Sequence, residues 1–164
     1  MLRENRLKTL LNDSQMDLTS VLLTSEGLEL ASQLCLGKLQ EFNSVPEYIV
    51  CHSISSIILS TGILTQAKLK EVTLQVSVLQ QFYTPEGIET LFANLPPPNS
   101  RVIVVTDLIN TGKSTYTVAE HFLEKGLTVA GVLTLVSTSE QGRNYLNNSL
   151  RVRIKFILNE HSLS

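Results

Sequence analysis

Residues 102–114 constrain the fold of this chain more than any other segment. Four apolar residues typical of a buried strand are followed by Asp107 and a turn with Gly112, and a helical pattern begins at once. The backbone N–H groups of such a turn and of the first helical turn lack partners within the helix. Together with the helix macrodipole they attract an anion. The segment predicts a phosphate site beside a carboxylate that can hold sugar hydroxyls or Mg²⁺, which indicates a phosphorylated ribose.

The same segment has two alternative interpretations. Residues 112–115 match the end of a nucleoside-triphosphate loop, G-x-x-x-x-G-K-[ST]. That pattern requires glycine at position 107, where this chain has aspartate, so the wide loop around a triphosphate cannot form. An ordinary strand-to-helix turn that binds nothing is the second alternative, and the sequence leaves it open.

Length and composition favour a single cytoplasmic domain over residues 1–164. Hydrophobic residues make up 43% of the chain and charged residues 17%, which suits a substantial core. A net charge of −2 provides no general attraction to nucleic acid or to an anionic membrane. No apolar stretch approaches the ~20 residues that span a bilayer. Cys35 and Cys51 lie within apolar patterns and are expected to be buried thiols.

Strand-like and helix-like segments alternate, which predicts an α/β fold with a mainly parallel central sheet and helices on both faces. The first 25 or so residues are more polar and are expected to form a small N-terminal flap or arm. Besides the strand that begins at Val102, strands are predicted over residues 48–51, 72–79, 129–136 and 151–158. Besides the helix that ends at Gly126, helices are predicted over residues 28–42, 55–64 and 84–95.

The helix over residues 84–95 is predicted from its first residues. Thr84, Pro85 and Glu86 offer a hydroxyl cap, a proline at the first helical position and an early acid. An apolar stripe follows, which fits either a core face or a dimer surface.

Residues 102–114 resemble the signature of the type I phosphoribosyltransferases: four apolar residues, two acids, two apolar residues, two small hydroxyl-type residues, glycine, any residue, then Ser or Thr. Asn110 departs mildly from it, and Thr106 stands where the first acid is expected. The matching positions are Asp107, Leu108, Ile109, Thr111, Gly112 and Ser114.

Residues 14–146 are most similar to the orotate phosphoribosyltransferases. Residues 50–57 occupy the place of that family's pyrophosphate-binding strand and loop, with serines where glycines are usual. The resemblance makes His52, Ser53 and Ser55 the pyrophosphate-loop candidates. Downstream, residues 140–143 resemble a glutamate-glutamine-glycine turn, but residues 137–139 replace the aspartate and the arginine that would hold orotate.

The resemblance implies a ligand and a role for each site residue. The ligand would be phosphoribosyl pyrophosphate or a nucleotide monophosphate, and an active enzyme would transfer phosphoribose to a pyrimidine-type base such as orotate. Asp107 would hold the ribose hydroxyls, and Mg²⁺ would be held through the ligand and Asp107. A homodimer is expected, since the family commonly pairs. The 5-phosphate would be held by Asn110, Thr111, Gly112, Lys113 and Ser114.

One departure concerns charge. The family uses basic residues on a mobile loop to stabilise the departing pyrophosphate, yet residues 71–100 contain no Lys, Arg or His. Loss of one preorganised charge typically costs ~3 kcal/mol of transition-state stabilisation. Three hypotheses therefore stay open: an Mg²⁺-dependent phosphoribosyltransferase, a non-catalytic ligand sensor on the same fold, and a partner-binding scaffold.

Two basic residues outside the signature also have alternative roles. His52 is either a base or a satisfied side chain near the mouth of the site. Arg143 either reaches a base or phosphate, or forms a salt bridge at the rim.

Overall fold

The structure of the protein, a computed structural model, describes residues 1–43 and 46–163. Seven helices and six strands lie within these two ranges. The helices are α1 (Leu2–Asp13), α2 (Leu18–Leu22), α3 (Ser25–Gln40), α4 (Ile54–Leu69), α5 (Lys113–Glu124), α6 (Glu140–Leu150) and α7 (Glu160–Leu163). The strands are β1 (Tyr48–Cys51), β2 (Gln75–Thr84), β3 (Gly87–Ala93), β4 (Arg101–Ile109), β5 (Thr128–Ser137) and β6 (Arg153–Asn159).

The strands form one sheet in the order β3-β2-β1-β4-β5-β6. Neighbouring strands pair in parallel, except that β2 and β3 pair antiparallel. Parallel neighbours need long crossover connections, which helices provide here. The predicted α/β fold with a mainly parallel sheet is confirmed.

Helices cover both faces of the sheet because its central strands are apolar on both sides. On β4, Ile103 and Val105 share a hydrophobic cluster with residues of α3 and α4. Val102 and Val104 belong to a second cluster with residues of α5 and α6. All four side chains are fully buried, so the apolar run of the sequence is a central strand.

The N-terminal segment packs against the rest of the molecule through α1 and α2. Leu7 and Leu11 of α1 are fully buried in the same cluster as the leucines of α3. Arg6 donates two hydrogen bonds to the Glu26 carboxylate of α3, at 2.6 and 3.0 Å. The residues expected to form a flap therefore contribute side chains to the main core.

The predicted helix over residues 84–95 is wrong, because these residues form the turn and second strand of a β-hairpin. Thr84 pairs with Gly87 across the hairpin, which leaves Pro85 and Glu86 as a two-residue turn. Proline and a polar residue suit such a turn as well as they suit a helix start. The local signal therefore did not distinguish the two structures.

A tertiary contact favours the strand. Phe92 of β3 packs edge-on against Phe122 of α5, with ring centroids 5.3 Å apart. Pairing with β2 satisfies the backbone on one side of β3 over seven register pairs. These non-local interactions override the helical spacing of the apolar residues.

The other predicted elements lie near their predicted positions. Strand β2 begins at Gln75 rather than at Val72 and continues to Thr84. Strand β6 lies at an edge of the sheet. Cys35 and Cys51 are buried free thiols, as expected. Across the described residues, no helix combines the length and hydropathy that crossing a bilayer requires.

Replacing Leu11 by alanine should lower the free energy of unfolding by about 2–5 kcal/mol, the usual cost of truncating a buried leucine. The control Leu23→Ala removes a side chain that is 69% exposed and should change stability by less than about 0.5 kcal/mol. Urea unfolding followed by circular dichroism measures both. Equal, small effects would show that α1 does not belong to the core.

Candidate functional site

The carboxyl ends of β1 and β4 meet at one edge of the sheet. The two strands pair directly in parallel, with Tyr48 opposite Val102 and Val50 opposite Val104. The residues that follow β1 therefore lie beside the end of β4. In open α/β sheets, ligands bind outside the carboxyl ends of the strands.

Asp107 supplies the carboxylate at this edge. Ser53 Oγ donates a hydrogen bond to Asp107 Oδ1 at 3.1 Å, and Thr106 Oγ1 approaches the same oxygen at 3.5 Å. Within the described part of the chain, Asp107 Oδ2 accepts no hydrogen bond, and the side chain is partly exposed. One carboxylate oxygen is thus positioned by the protein and the other can meet a ligand hydroxyl.

Thr106 occupies the position of the first acid in the signature, but it provides no carboxylate there. It is only 2% exposed. Its hydroxyl contacts Asp107 and, at 3.5 Å, the carbonyl of Leu108. The site therefore has one carboxylate where the signature has two acids.

His52 follows β1 and is partly buried. Burial lowers the pKa of its imidazole, and the nearby Asp107 carboxylate opposes that shift. His52 Nδ1 is buried and has no hydrogen-bond partner among residues 1–43 and 46–163. The lowered pKa favours the neutral imidazole in the absence of a ligand, and the ring keeps an unpaired nitrogen.

The two serines of the predicted pyrophosphate loop have different hydrogen-bond partners in the structure. Ser53 is the N-cap of α4, where its Oγ accepts the N–H of Ser56 at 3.1 Å, and it also contacts Asp107. Ser55 lies in the first turn of α4, but its Oγ is hydrogen-bonded to Thr19 Oγ1 of α2 at 2.6 Å. His52 and Ser53 thus lie at the site, whereas the Ser55 hydroxyl is engaged elsewhere.

The signature turn between β4 and α5 presents backbone N–H groups. Gly112, the N-cap of α5, has φ = +78°, a conformation that favours glycine. No side chain caps this helix. Lys113 N–H makes only a long contact, 3.4 Å, to Thr111 Oγ1. Asn110, Thr111, Lys113 and Ser114 are exposed. Uncapped N–H groups at a helix N-terminus are the donors that an anion site requires.

The start of α6 supports this turn from behind. A Cβ on Gly142 would lie 1.9 Å from the carbonyl oxygen of Asn110, and a Cβ on Gly112 would lie 2.7 Å from the carbonyl oxygen of Gly142. Ser139 Oγ accepts the Gly142 N–H at 3.2 Å and so positions it. The sequence predicts a turn at residues 140–143, whereas these residues form the first turn of α6. It predicts neither this helix nor its contact with the signature turn. The one local pattern in the sequence that indicates this contact is a glycine three residues after a serine N-cap.

Arg143 is engaged away from the turn. Its guanidinium donates to both carboxylate oxygens of Glu160 at 2.7 and 2.9 Å and to Ser137 Oγ at 2.8 Å. It also lies 4.9 Å from the centroid of the Phe156 ring. The guanidinium lowers the pKa of Glu160 to about 2. Of its two alternative roles, the structure favours the salt bridge.

The β2–β3 hairpin extends past the carboxyl end of β1. Cys51, the last residue of β1, pairs with Val78, and β2 continues to Thr84, a further length of roughly 20 Å. Phe82 and Tyr83 near its tip are 46% and 89% exposed. Since residues 71–100 contain no Lys, Arg or His, the hairpin brings no cation to this edge.

The donor set fits Mg²⁺ only as part of a bound ligand. Within the described residues, no three His, Cys, Asp or Glu side chains are grouped to hold a metal ion. Asp107 alone provides a carboxylate at the signature turn. Mg²⁺ is commonly bound by one or two carboxylates together with substrate phosphates, so Asp107 suits an ion that arrives with a pyrophosphate.

Gly142→Ala should disrupt the signature turn, because the new methyl group would overlap the Asn110 carbonyl. We expect a loss of about 1–3 kcal/mol in the free energy of unfolding, typical of overpacking, and weaker binding of ribose 5-phosphate. The control Gly37→Ala lies in α3 with open space around its Cβ and should stabilise by about 0.5–1 kcal/mol. Denaturant unfolding and calorimetry measure these effects. Unchanged stability and affinity in Gly142→Ala would contradict the supporting role.

No family model matches the sequence. A stretch of 47 residues is 38% identical to the orotate phosphoribosyltransferase of Archaeoglobus fulgidus. This match covers 29% of the chain and only 26% of that curated relative.

Two solved structures match the chain over its whole length, and a third matches most of it. The orotate phosphoribosyltransferase of Mycobacterium tuberculosis H37Rv, in complex with 5-phospho-alpha-D-ribosyl 1-diphosphate, has a TM-score of 0.76 and 17% identity over 100% of this chain and 93% of that one. A phosphoribosyltransferase from Corynebacterium diphtheriae has a TM-score of 0.80 and 16% identity, covering 100% and 99%. Adenine phosphoribosyl transferase from Trypanosoma brucei has a TM-score of 0.66 and 14% identity, covering 85% and 67%. The chain therefore has the type I phosphoribosyltransferase fold and resembles the orotate phosphoribosyltransferases.

Proposed function

We propose that the protein binds phosphoribosyl pyrophosphate, or a nucleotide monophosphate, at the edge formed by β1 and β4. The observation that supports this most directly is the grouping of three parts at one edge: the signature turn, the Asp107 carboxylate and the loop after β1. In this proposal the 5-phosphate is held by Asn110, Thr111, Gly112, Lys113 and Ser114.

The remaining parts of the ligand fit the neighbouring groups. Asp107 Oδ2 accepts hydrogen bonds from the ribose hydroxyls, while Ser53 positions the other oxygen of that carboxylate. The pyrophosphate lies against His52, Ser53 and the first turn of α4, whose N-terminus attracts an anion. Mg²⁺ is held between the pyrophosphate and Asp107.

Transfer of phosphoribose is the second candidate function. The similarity to orotate phosphoribosyltransferases favours a pyrimidine-type base such as orotate as acceptor. The transition state resembles an oxocarbenium ion leaving a pyrophosphate, so cations must stabilise the departing group. Lys113 is the one Lys or Arg among the described residues of the proposed site, and burial lowers the pKa of the His52 imidazole. We therefore infer that binding is the principal activity and that any transfer is slow.

The Asp107→Asn variant should bind phosphoribosyl pyrophosphate about tenfold more weakly or worse, because charge-assisted hydrogen bonds to the ribose are lost. Its affinity for inorganic phosphate should change much less. Calorimetric titrations with and without Mg²⁺ measure both. The control Asp13→Asn changes an exposed acid at the end of α1 and should leave both affinities unaltered. Absence of binding by the unaltered protein would favour the scaffold hypothesis.

A pyrophosphate-release assay with a panel of bases, orotate included, separates the two functions. We expect tight binding of phosphoribosyl pyrophosphate with turnover at least a hundredfold below that of an ordinary phosphoribosyltransferase, since even one missing charge costs about that factor. The assay uses the full chain in its own oligomeric state, because a second copy in a homodimer could supply a cation. Turnover at an ordinary rate would establish the enzyme and contradict the sensor.

A further inference from the structure

A group of arginines lies at the opposite edge of the sheet, where the parallel strands begin. Strands β4, β5 and β6 begin there, far from the ends that carry the signature turn. Arg101 and Arg153 are the first residues of β4 and β6, and Arg151 follows the last residue of α6. These three arginines line one cavity of about 280 Å³, which we call the arginine cavity.

No carboxylate pairs with the arginines of the arginine cavity. Among the described residues that line it, none is acidic. Arg153 Nη1 donates to the neutral amide oxygen of Asn43 at 3.1 Å. Arg101 and Arg151 form no ion pair within the described residues. In a protein with a net charge of −2, three exposed arginines that line one cavity and face no unpaired carboxylate form a local positive site.

The nearby acid is already paired. Glu41 lies two residues before Asn43, and its carboxylate accepts from Lys155 at 2.9 Å and from Lys38 at 3.0 Å. These contacts lower the pKa of Glu41. The carboxylate is thus committed to two lysines rather than to the three arginines.

The backbone places Arg151 in an unusual conformation for a side chain of its size. Its φ is +55°, at a helix C-terminus where glycine or asparagine is commonly found. The Arg151 N–H donates to the Asn147 carbonyl at 2.8 Å, and Asn147 Nδ2 donates to the Val152 carbonyl at 3.0 Å. These bonds hold an arginine where glycine would be less strained.

The interior of the arginine cavity is apolar. Phe42 and Val129, both less than a tenth exposed, form part of its lining. Its volume is near the lower end of small-molecule sites, which limits the ligand to a compact molecule. Guanidinium groups bind phosphate oxygens in a planar, bidentate geometry.

We propose that the arginine cavity binds a small anion that carries one or two phosphate groups. The chemical class is a phosphate monoester or a diphosphate, bound by Arg101, Arg151 and Arg153. This site is separate from the β1–β4 edge and does not depend on the function proposed for that edge.

The test is a titration of the full-length, ¹⁵N-labelled protein with inorganic pyrophosphate, followed by amide chemical shifts. Pyrophosphate is expected to shift amides at both edges, and each set reports its own dissociation constant. Amides of residues 101, 128–129 and 151–153 should saturate independently of those of residues 110–115. Shifts confined to residues 110–115, or no shifts at all, would overturn the proposal.

Substitutions separate binding from folding. Arg101→Gln and Arg151→Gly should each weaken pyrophosphate binding at the arginine cavity about tenfold or more, since each removes charge-assisted hydrogen bonds. Arg151→Gly also relieves the positive φ, so its melting temperature should equal or exceed that of the unaltered protein. The control Arg3→Gln removes an exposed arginine of α1 and should leave the affinity unchanged. Equal weakening by Arg3→Gln, or none by Arg151→Gly, would show that no specific site exists.

Discussion

Ser53 and Asp107 are 54 positions apart in the chain, and their 3.1 Å hydrogen bond exists because β1 and β4 pair in parallel. Parallel pairing places both carboxyl ends at one edge, so α4 and α5 begin there and direct their N-termini into the same space. A one-residue slip between the strands would turn the end of one strand to the opposite face. The register of this pair therefore determines whether a carboxylate, a phosphate turn and a second loop can act on one ligand.

The electrostatics of that edge depend on backbone dipoles more than on charged side chains. Each helix N-terminus contributes about half a positive charge, so α4 and α5 together supply about one. A phosphate monoester alone carries about −1.5 to −2 charges at neutral pH, and a pyrophosphate adds more. Lys113 offsets part of the remainder, and burial lowers the pKa of the His52 imidazole. The negative charge of the ligand exceeds the positive charge of the site. This excess favours Mg²⁺ that enters with the ligand, and it disfavours rapid departure of pyrophosphate.

The sequence predicted those elements whose structure depends on interactions between neighbouring residues. The strand, turn and helix around Gly112 follow from neighbouring residues, and the structure contains them. The hairpin could not be predicted in this way, because residues 84–86 suit both a helix start and a turn, and the contact of Phe92 with Phe122 decides between them. The role of Gly142 depends on Asn110, which lies on another element. The sequence allows two roles for Arg143, because its partner Glu160 is 17 positions away in the chain.

The amino edge of the sheet differs from the carboxyl edge in its source of charge. Helices α3, α5 and α6 end beside the arginine cavity, since Phe42, Thr128 and Arg151 follow them and line it. Each C-terminus contributes about half a negative charge. Cationic side chains commonly compensate such dipoles, which is the simplest reason for an arginine after α6. Three helix ends account for about one and a half charges, however, whereas three arginines line the arginine cavity. Since Glu41 is paired with two lysines, dipole compensation accounts for about half of the positive charge of the three arginines and leaves about one and a half positive charges for an anion.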